Sequence, residues 1–518
     1  MDKFVSEAAP VRASSYVIYA DLPSTPDRVL LVHGYTGAYD LVSRGLGAYV
    51  RRLESSPVPK PLYGEWMPAE LDTDEPSSPS DEAIAHLVKR GYLTRRSVDE
   101  EQAFFVRAVE LVQQAATATR PGYVIMPTYD CNLRCGYCFQ DHMRTNPDFN
   151  HLLRTMSRRQ IDRMVSAFPQ IEMRHGVEGE RALPRTITLF GGEPLLRQSL
   201  PSVKYLIERV KAEGDAIFSA ISNATELHHY DELLGPGRIS MIQVTIDGPP
   251  EQHDTRRIYA DGSGSFERIA QNVSFALERD VAISLRMNVD RSNMKNIPRL
   301  ASEFVVRGWS SNPKFSAYVA PVQDYNAEMN GPGVARKDTF NSWELSEALD
   351  ELRARHPDME SVLRVDDAMK ARAMRIFDTR AHSMPAMSSF CGAHRGMYIF
   401  DAFGDIYACW DRTGDKNLRI GWIDDGGEVR LIADMHGKWR NRTVASNPTC
   451  RRCRFALHCG GGCAVLAEES SGTIYSNFCD AFGKRFRAKV AEAYEEFASG
   501  APRANAREEA ALLAESFR

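Results

Sequence analysis

The sequence predicts an α/β protein organised around a parallel barrel. Strand-like apolar runs alternate with segments of helical periodicity from about Tyr123 to Tyr318, the order that builds parallel sheets. Small and polar residues gather where those runs end, the place where barrels carry their chemistry. The ten cysteines fall into two groups, Cys131, Cys135 and Cys138, then Cys391, Cys409, Cys450, Cys453, Cys459, Cys463 and Cys479. In a reducing compartment such grouping points to metal rather than to disulfides.

Length and composition bound the answer. A chain of 518 residues has room for several domains at about 150 residues each. Hydrophobic residues at 43% and charged residues at 26% match globular averages, which excludes a disordered or fibrous chain. No run approaches the roughly 18 uninterrupted apolar residues of a membrane span. The N-terminus lacks an apolar core before a small-residue cleavage site, so a cytoplasmic location is expected. The balance of 64 basic against 69 acidic residues, net -5, offers no footprint for nucleic acid or an anionic membrane.

Residues 1–118 precede the barrel and form a separate unit. RVLLVHGYTGAYDLV reads as two strands around a turn, and after the loop with Pro57, Pro59 and Pro61, Ser80 caps a helix carrying Ile84, Leu87 and Val88 on one face. Ser97 with Glu100 makes a capping box, and Phe105, Ala108, Val109 and Val112 continue an apolar stripe. VLLVHGYTG resembles the oxyanion loop of α/β-hydrolases, but the chain contains no G-x-S-x-G pentapeptide, which removes that reading.

The barrel occupies 119–321. YVIMP, from Tyr123, leads into TYDCNLRCGYCFQ, a C-x3-C-x2-C loop. Three thiolates leave one iron of a cubane open for a chelating molecule; an open zinc site is the alternative that spacing allows. ITLFGGEPLL ends its run on Gly191, Gly192, Glu193 and Pro194, AIFSAISNAT on Ser222 and Asn223, and MIQVTIDGP on Thr245 and Asp247, while VAISLRMNV carries Arg286. Between them Phe266, Ile269, Val273 and Ala276 recur at helical intervals.

These motifs together resemble the radical S-adenosylmethionine (SAM) superfamily. The resemblance implies a partial (β/α)6 barrel in which Cys131, Cys135 and Cys138 hold a [4Fe-4S] cluster that chelates SAM, with Tyr137 before the last cysteine. It implies that Gly191, Gly192, Glu193 and Pro194 hold the SAM amino group, and that Ser222, Asn223, Asp247 and Arg286 line its ribose and carboxylate. One-electron cleavage of SAM then yields a 5'-deoxyadenosyl radical that takes hydrogen from the substrate. The resemblance also implies an external electron donor of flavodoxin or ferredoxin type. No catalytic acid or base is singled out by the sequence.

Residues 322–380, polar with a Gly-Pro-Gly break at 331–333, read as a helical bridge. Over 381–485 the cysteines follow C-x17-C, then C-x2-C-x5-C-x3-C, then Cys479, with Gly404 five residues before Cys409. A pair of zinc ribbons is the rival for such spacing. The pattern resembles the SPASM domain of radical SAM enzymes that modify peptides and proteins. That resemblance implies two auxiliary [4Fe-4S] clusters, one on Cys391, Cys409 and Cys463, the other on Cys450, Cys453, Cys459 and Cys479, three clusters in all. Seven thiols fall one short of the eight that two fully ligated cubanes need, so an open iron or a non-cysteine ligand such as His382 is expected. Residues 486–518 read as a helical tail.

The N-terminal unit resembles the winged-helix-like peptide-recognition domain of radical SAM peptide maturases, which implies a precursor peptide whose leader adds as a strand; a plain structural cap is the alternative. The expected function is oxidative maturation of a ribosomally made peptide, by thioether or carbon-carbon cross-linking. A sulfatase-maturase-like activity is the alternative enzyme, since IDGPPEQHDTRR and GSGSFERI look like segments shared with that subgroup. A cluster-bearing peptide-binding scaffold is the alternative from another class.

Overall fold

The computed structural model describes residues 10–54, 79–177, 183–323, 338–361, 367–377 and 386–500. Two units emerge. One gathers 1–116, 366–394 and 441–518, the other 117–365 and 395–440.

In the first unit, β1 (Arg12–Ala13) pairs antiparallel with β5 (Leu93–Thr94), and β2 (Val17–Asp21), β3 (Arg28–His33) and β4 (Tyr39–Ser43) make a three-stranded antiparallel sheet in that order. The expected hairpin is therefore β3–β4. The helix Asp81–Arg90 starts where expected, with Ser80 accepting from Ala83 N, and ends on left-handed Gly91. The capping box also forms, Ser97 N donating to Glu100 and Glu100 N to Ser97 Oγ, at the head of the helix Val98–Thr117. The α/β-hydrolase-like HG segment has a different purpose. His33 is buried and bonded to Ser14 Oγ at 3.1 Å, and a Cβ on Gly34 would stand 2.1 Å from Arg454 O. Ile18, Ala20, Leu30 and Val32 share a core with Phe377, Phe455, Phe486 and Val490, so the N-terminal strands and the C-terminal cysteine region bury one surface together.

The second unit is built on a 10-stranded sheet. Its strands in chain order are β6 (Gly122–Ile125), β8 (Arg185–Leu189), β9 (Ala216–Ser222), β10 (Ile239–Thr245), β12 (Ala282–Val289) and β13 (Phe315–Pro321), then β14 (Met397–Phe400), β15 (Asp405–Tyr407), β16 (Gly421–Ile423) and β17 (Val429–Leu431). The first six run parallel, as the alternation requires. Outside this sheet β7 (Leu133–Cys135) and β11 (Arg257–Tyr259) form an antiparallel pair. The sheet does not stop at β6. Strand β14 adds parallel to it, and β15 to β17 continue antiparallel, so part of the region expected to be a separate cysteine domain extends this sheet.

Helices cover the strands by periodic burial. Ile161, Met164, Val165, Phe168 and Ile171 of Arg158–Arg174 are buried, with Phe168 stacked on Tyr123 at 4.1 Å. The helix Phe266–Leu277 buries Ile269, Val273 and Ala276 as their spacing predicts. No helix among the described residues is long and apolar enough to cross a membrane.

Candidate active site

The cysteine loop, Gly191–Pro194, Ser222, Asn223 and Asp247 lie at or just past the C-terminal ends of parallel strands, while Arg286 sits within β12, all in one unit. The chain leaves β6 through Pro127 and Thr128 and enters the cysteine loop. Two glycines let the end of β8 press against that loop. A Cβ on Gly191 would stand 2.4 Å from Thr128 O, and one on Gly192 2.2 Å from Tyr129 O and 2.3 Å from Asp130 O. Gly192 N and Glu193 N donate to Thr128 O and Asp130 O. The glycine pair is thus demanded by backbone contact with the cysteine loop.

Glu193 is 1% exposed and fully engaged. Its Oε1 accepts from Leu195 N at 2.9 Å and Ser222 Oγ at 2.8 Å, and its Oε2 from Asn223 N at 2.6 Å. Pro194 has no N–H, so the Leu195 N–H is the first donor the carboxylate meets. Burial pushes this carboxyl up to about 7, against the pull of those donors. Asn223 in turn donates to Asn132 Oδ1 at 2.9 Å and to Cys131 Sγ at 3.7 Å. The predicted residues of β8 and β9 therefore form one network with the first cysteine.

A second network is centred on Tyr137. Its hydroxyl donates to Asp247 Oδ2 and accepts from Arg257 Nη1 at 2.7 Å and Asn288 Nδ2 at 3.0 Å. Asp247 Oδ1 accepts from Asn288 N at 3.0 Å, and Arg286 Nε donates to Asn288 Oδ1 at 2.8 Å. Buried His253 accepts from Asp247 N at 3.2 Å through Nδ1; burial holds its imidazole well below the usual range, and Arg257 and Arg256 add to that. Arg256 pairs with Asp290 at 2.8 Å and lies over the Tyr137 ring at 5.4 Å. Sequence reasoning assigned Tyr137, Asp247 and Arg286 but not Asn288, His253, Arg256 or Arg257. The segment IDGPPEQHDTRR already contained three of these four, without a pattern that says which side chains turn inward.

The thiols themselves stand in a mixed environment. None of the ten cysteines is joined in a disulfide. Arg257 pairs in register with Cys135 across β7 and β11. Burial pushes the Cys135 thiol up to about 11 and Cys131 up to about 12, with Arg257 and Arg144 respectively the strongest influences in the opposite direction. Leu133 N donates to Cys131 Sγ at 3.4 Å, and Arg144 Nη2 to Cys138 Sγ at 3.1 Å. N–H donors and buried cations facing unbridged sulfurs suit thiolates that carry charge once metal is bound. Among the described residues no three His, Cys, Asp or Glu side chains are gathered around the point a single metal ion would occupy.

The second cysteine group is divided. Cys391, Cys450, Cys453, Cys459, Cys463 and Cys479 belong to the first unit and Cys409, just past β15, to the second. Within the first unit the segment CGGGC runs through three successive left-handed glycines, Gly460, Gly461 and Gly462 at φ 73°, 86° and 75°. A Cβ on Gly460 would stand 2.7 Å from Phe390 backbone, and one on Gly462 1.8 Å from Phe478 O. Phe390 precedes Cys391 and Phe478 precedes Cys479, so only glycines let these cysteine-bearing segments meet. Buried Arg442, missed in the sequence, holds them. It donates to Ile474 O, to Ser476 O at 3.1 Å and to Gly461 O at 3.3 Å. His382 lies outside the described residues.

Comparison with known proteins bears on the same stretch. The sequence model described as the Radical SAM superfamily matches residues 125–302. The cysteine-type anaerobic sulfatase-maturating enzyme of Clostridium novyi is 21% identical over 386 residues, covering 70% of this chain and 93% of that protein. The mycofactocin maturase MftC of Mycobacterium ulcerans is 23% identical over 349 residues, covering 65% of this chain and 80% of that protein. The solved structure of native anSMEcpe with bound AdoMet shares the fold, with TM-score 0.53 at 15% identity over 74% of this chain and 100% of that one.

Proposed function

We propose that this radical SAM enzyme is a maturase that oxidatively modifies a ribosomally synthesised precursor peptide, installing a thioether or carbon-carbon cross-link. The observation that carries the reading is the pair of buried networks, Glu193–Ser222–Asn223 and Tyr137–Asp247–Asn288, which flank the three-cysteine loop at the strand ends. In this reading Cys131, Cys135 and Cys138 hold a [4Fe-4S] cluster, and Tyr137, Gly191, Gly192, Glu193, Pro194, Ser222, Asn223, Asp247 and Arg286 form the SAM site. The N–H donors on Cys131 and Cys138 suit thiolates that carry charge at an iron-sulfur cluster. When bound, the two cofactors supply one-electron cleavage of a sulfonium and, through it, hydrogen-atom abstraction from a substrate carbon.

The chain's own part is preorganisation. Glu193 already accepts three hydrogen bonds and Tyr137 already engages three partners, so little reorganisation is left when SAM arrives. The acid-base roles in product formation are left unassigned. Cys391, Cys409 and Cys463, with Cys450, Cys453, Cys459 and Cys479, are read as ligands of two auxiliary clusters, one with an open or non-cysteine site. They would take the electron released when the substrate radical closes its new bond, with an external flavodoxin- or ferredoxin-type donor supplying the priming electron.

The N-terminal part is read as the winged-helix-like leader site. Among the described residues no strand pairs with the outer edge of β4, so an extended leader would gain main-chain hydrogen bonds there. The specific observation favouring the second enzymatic reading, modification of a sulfatase, is the likeness to the Clostridium novyi enzyme over 70% of the chain.

Anaerobic co-expression with short peptides encoded beside the gene, followed by mass spectrometry, tests the proposal. Loss of two hydrogens with wild type but not with Cys135→Ala is the expected result. Modification of a cysteine-bearing sulfatase segment, with no neighbouring peptide altered, would move the assignment to sulfatase maturation. Absence of 5'-deoxyadenosine from a reduced, iron-loaded enzyme would leave a scaffold.

A further inference from the structure

One partner of the first cysteine loop is explained neither by cysteine spacing nor by the strand-end motifs. Arg144 lies six residues past Cys138, on the short helix His142–Thr145, and its side chain is 1% exposed. Its Nη2 donates to Cys138 Sγ at 3.1 Å, its Nη1 donates to Tyr129 O at 3.2 Å, and Asp141 Oδ1 stands 3.9 Å away. Tyr129 precedes the first cysteine and Cys138 is the last, so one planar guanidinium ties together both ends of the loop. Its charge also reaches Cys131, where only burial outweighs it.

We propose that Arg144 is a positioning residue that raises the reduction potential of the cluster on Cys131, Cys135 and Cys138, through a charge-assisted N–H···S hydrogen bond to Cys138. The proposal rests on reading those thiols as an iron-sulfur site.

The sign follows from charge. Reduction adds one electron, delivered by a low-potential one-electron donor of the flavodoxin or ferredoxin class, with no proton, bond or leaving group involved. The reduced cluster therefore carries one more negative charge than the oxidised one. A fixed cation and an N–H donor at sulfur stabilise the more negative state, and a buried guanidinium is little screened by water. Its second arm on Tyr129 O keeps the first aimed at sulfur. A lysine would keep the charge but not the planar fork. Arg257 places another buried charge beside Cys135, but it also belongs to the Tyr137 network. Arg144 has no hydrogen bond to Glu193, Ser222, Asn223, Tyr137, Asp247 or Asn288, so its effect on the cluster can be read apart from those side chains.

The test is a redox titration of the full-length enzyme, anaerobically reconstituted with iron and sulfide and followed by electron paramagnetic resonance. The SAM-binding cluster is identified by the change in its reduced signal when SAM is added. Arg144→Gln, at wild-type iron and sulfide content, should shift the midpoint downward by about 59 mV, a tenfold change for a one-electron couple, and Arg144→Lys should fall between. An unchanged midpoint in a loaded Arg144→Gln protein would overturn the proposal while leaving the cluster reading intact. If the glutamine variant loads no cluster, Arg144→Lys decides. A lysine midpoint equal to wild type overturns the tuning role, and a downward shift upholds it. A wild-type protein with no SAM-sensitive cluster would overturn both readings.

Discussion

The hydroxyl of Tyr137 donates to Asp247 Oδ2 across 110 residues of chain, which ties the residue before the last cysteine of the loop to the end of β10. Asp247 is 0% exposed, so bulk water does not stand ready to take the hydroxyl's place. Tyr137→Phe removes one hydroxyl and leaves Asp247, Arg257 and Asn288 each short of a partner. Unfolding in urea should show a loss of about 1–3 kcal/mol, and reduced enzyme should form 5'-deoxyadenosine more slowly at saturating SAM. Unaltered stability would mean that water replaces the hydroxyl and that the network is open to solvent.

Gly462→Ala tests the meeting of the cysteine segments. An alanine there carries a left-handed penalty of roughly 1–2 kcal/mol and drives its Cβ onto Phe478 O. On the auxiliary-cluster reading, the variant should retain the SAM-sensitive cluster but hold less iron per chain than wild type. Iron analysis with Mössbauer spectroscopy reads both quantities.

Asp401 predicts a pH dependence. It accepts from Phe403 N and Asp405 N at 2.9 Å and from Tyr129 OH at 3.1 Å, yet burial, with Asp405 adding, pushes its carboxyl up to about 7. Between the unfolded value near 4 and about 7, the folded chain then binds more protons than the unfolded one. This group's contribution to stability is greatest below pH 4, falls as pH rises towards 7 and is level above. Asp401→Asn should remove up to about one proton from that linkage, seen as a shift of the Tm-against-pH slope in the positive direction from about pH 4 to 7. An identical slope in both proteins would show that the carboxyl titrates normally.

Arg185 and Glu172 form a buried bidentate pair, with Nε–Oε1 at 2.6 Å and Nη2–Oε2 at 2.9 Å, beside the start of β8. Arg185→Met leaves the Glu172 carboxylate with Arg120 Nε at 3.6 Å and the Tyr123 hydroxyl at 3.4 Å, and should cost about 1–3 kcal/mol in urea unfolding. The double variant Arg185→Met with Glu172→Leu should recover most of it, because the desolvated charge is then gone from both sides.

Local patterns in the chain were enough to place the barrel strands, the Ser80 cap, the Ser97–Glu100 box and the burial stripe of Phe266–Leu277. These depend on residues within a turn or two of one another, where period and capping chemistry are written directly in the order of residues. The cysteine loop and the GGEP turn were recognisable as segments for the same reason, since loops and strand-end turns are short.

Contacts between distant residues were not legible. Asn288 and Arg257 reach Tyr137 from 151 and 120 residues away, and nothing local distinguishes them from solvated neighbours until the strands are packed. The same holds for β14, whose apolar MYIF segment reads as a short strand anywhere but pairs with β6 because that edge of the parallel sheet has unmet hydrogen bonds. Gly191, Gly192 and Gly462 are visible as glycines in the sequence. That they are required follows from three backbone oxygens, those of Thr128, Tyr129 and Phe478, where a Cβ would otherwise stand. Chemistry and element type are properties of short segments and were set by residue order; partner choice and close approach are properties of packed surfaces and came only with the fold.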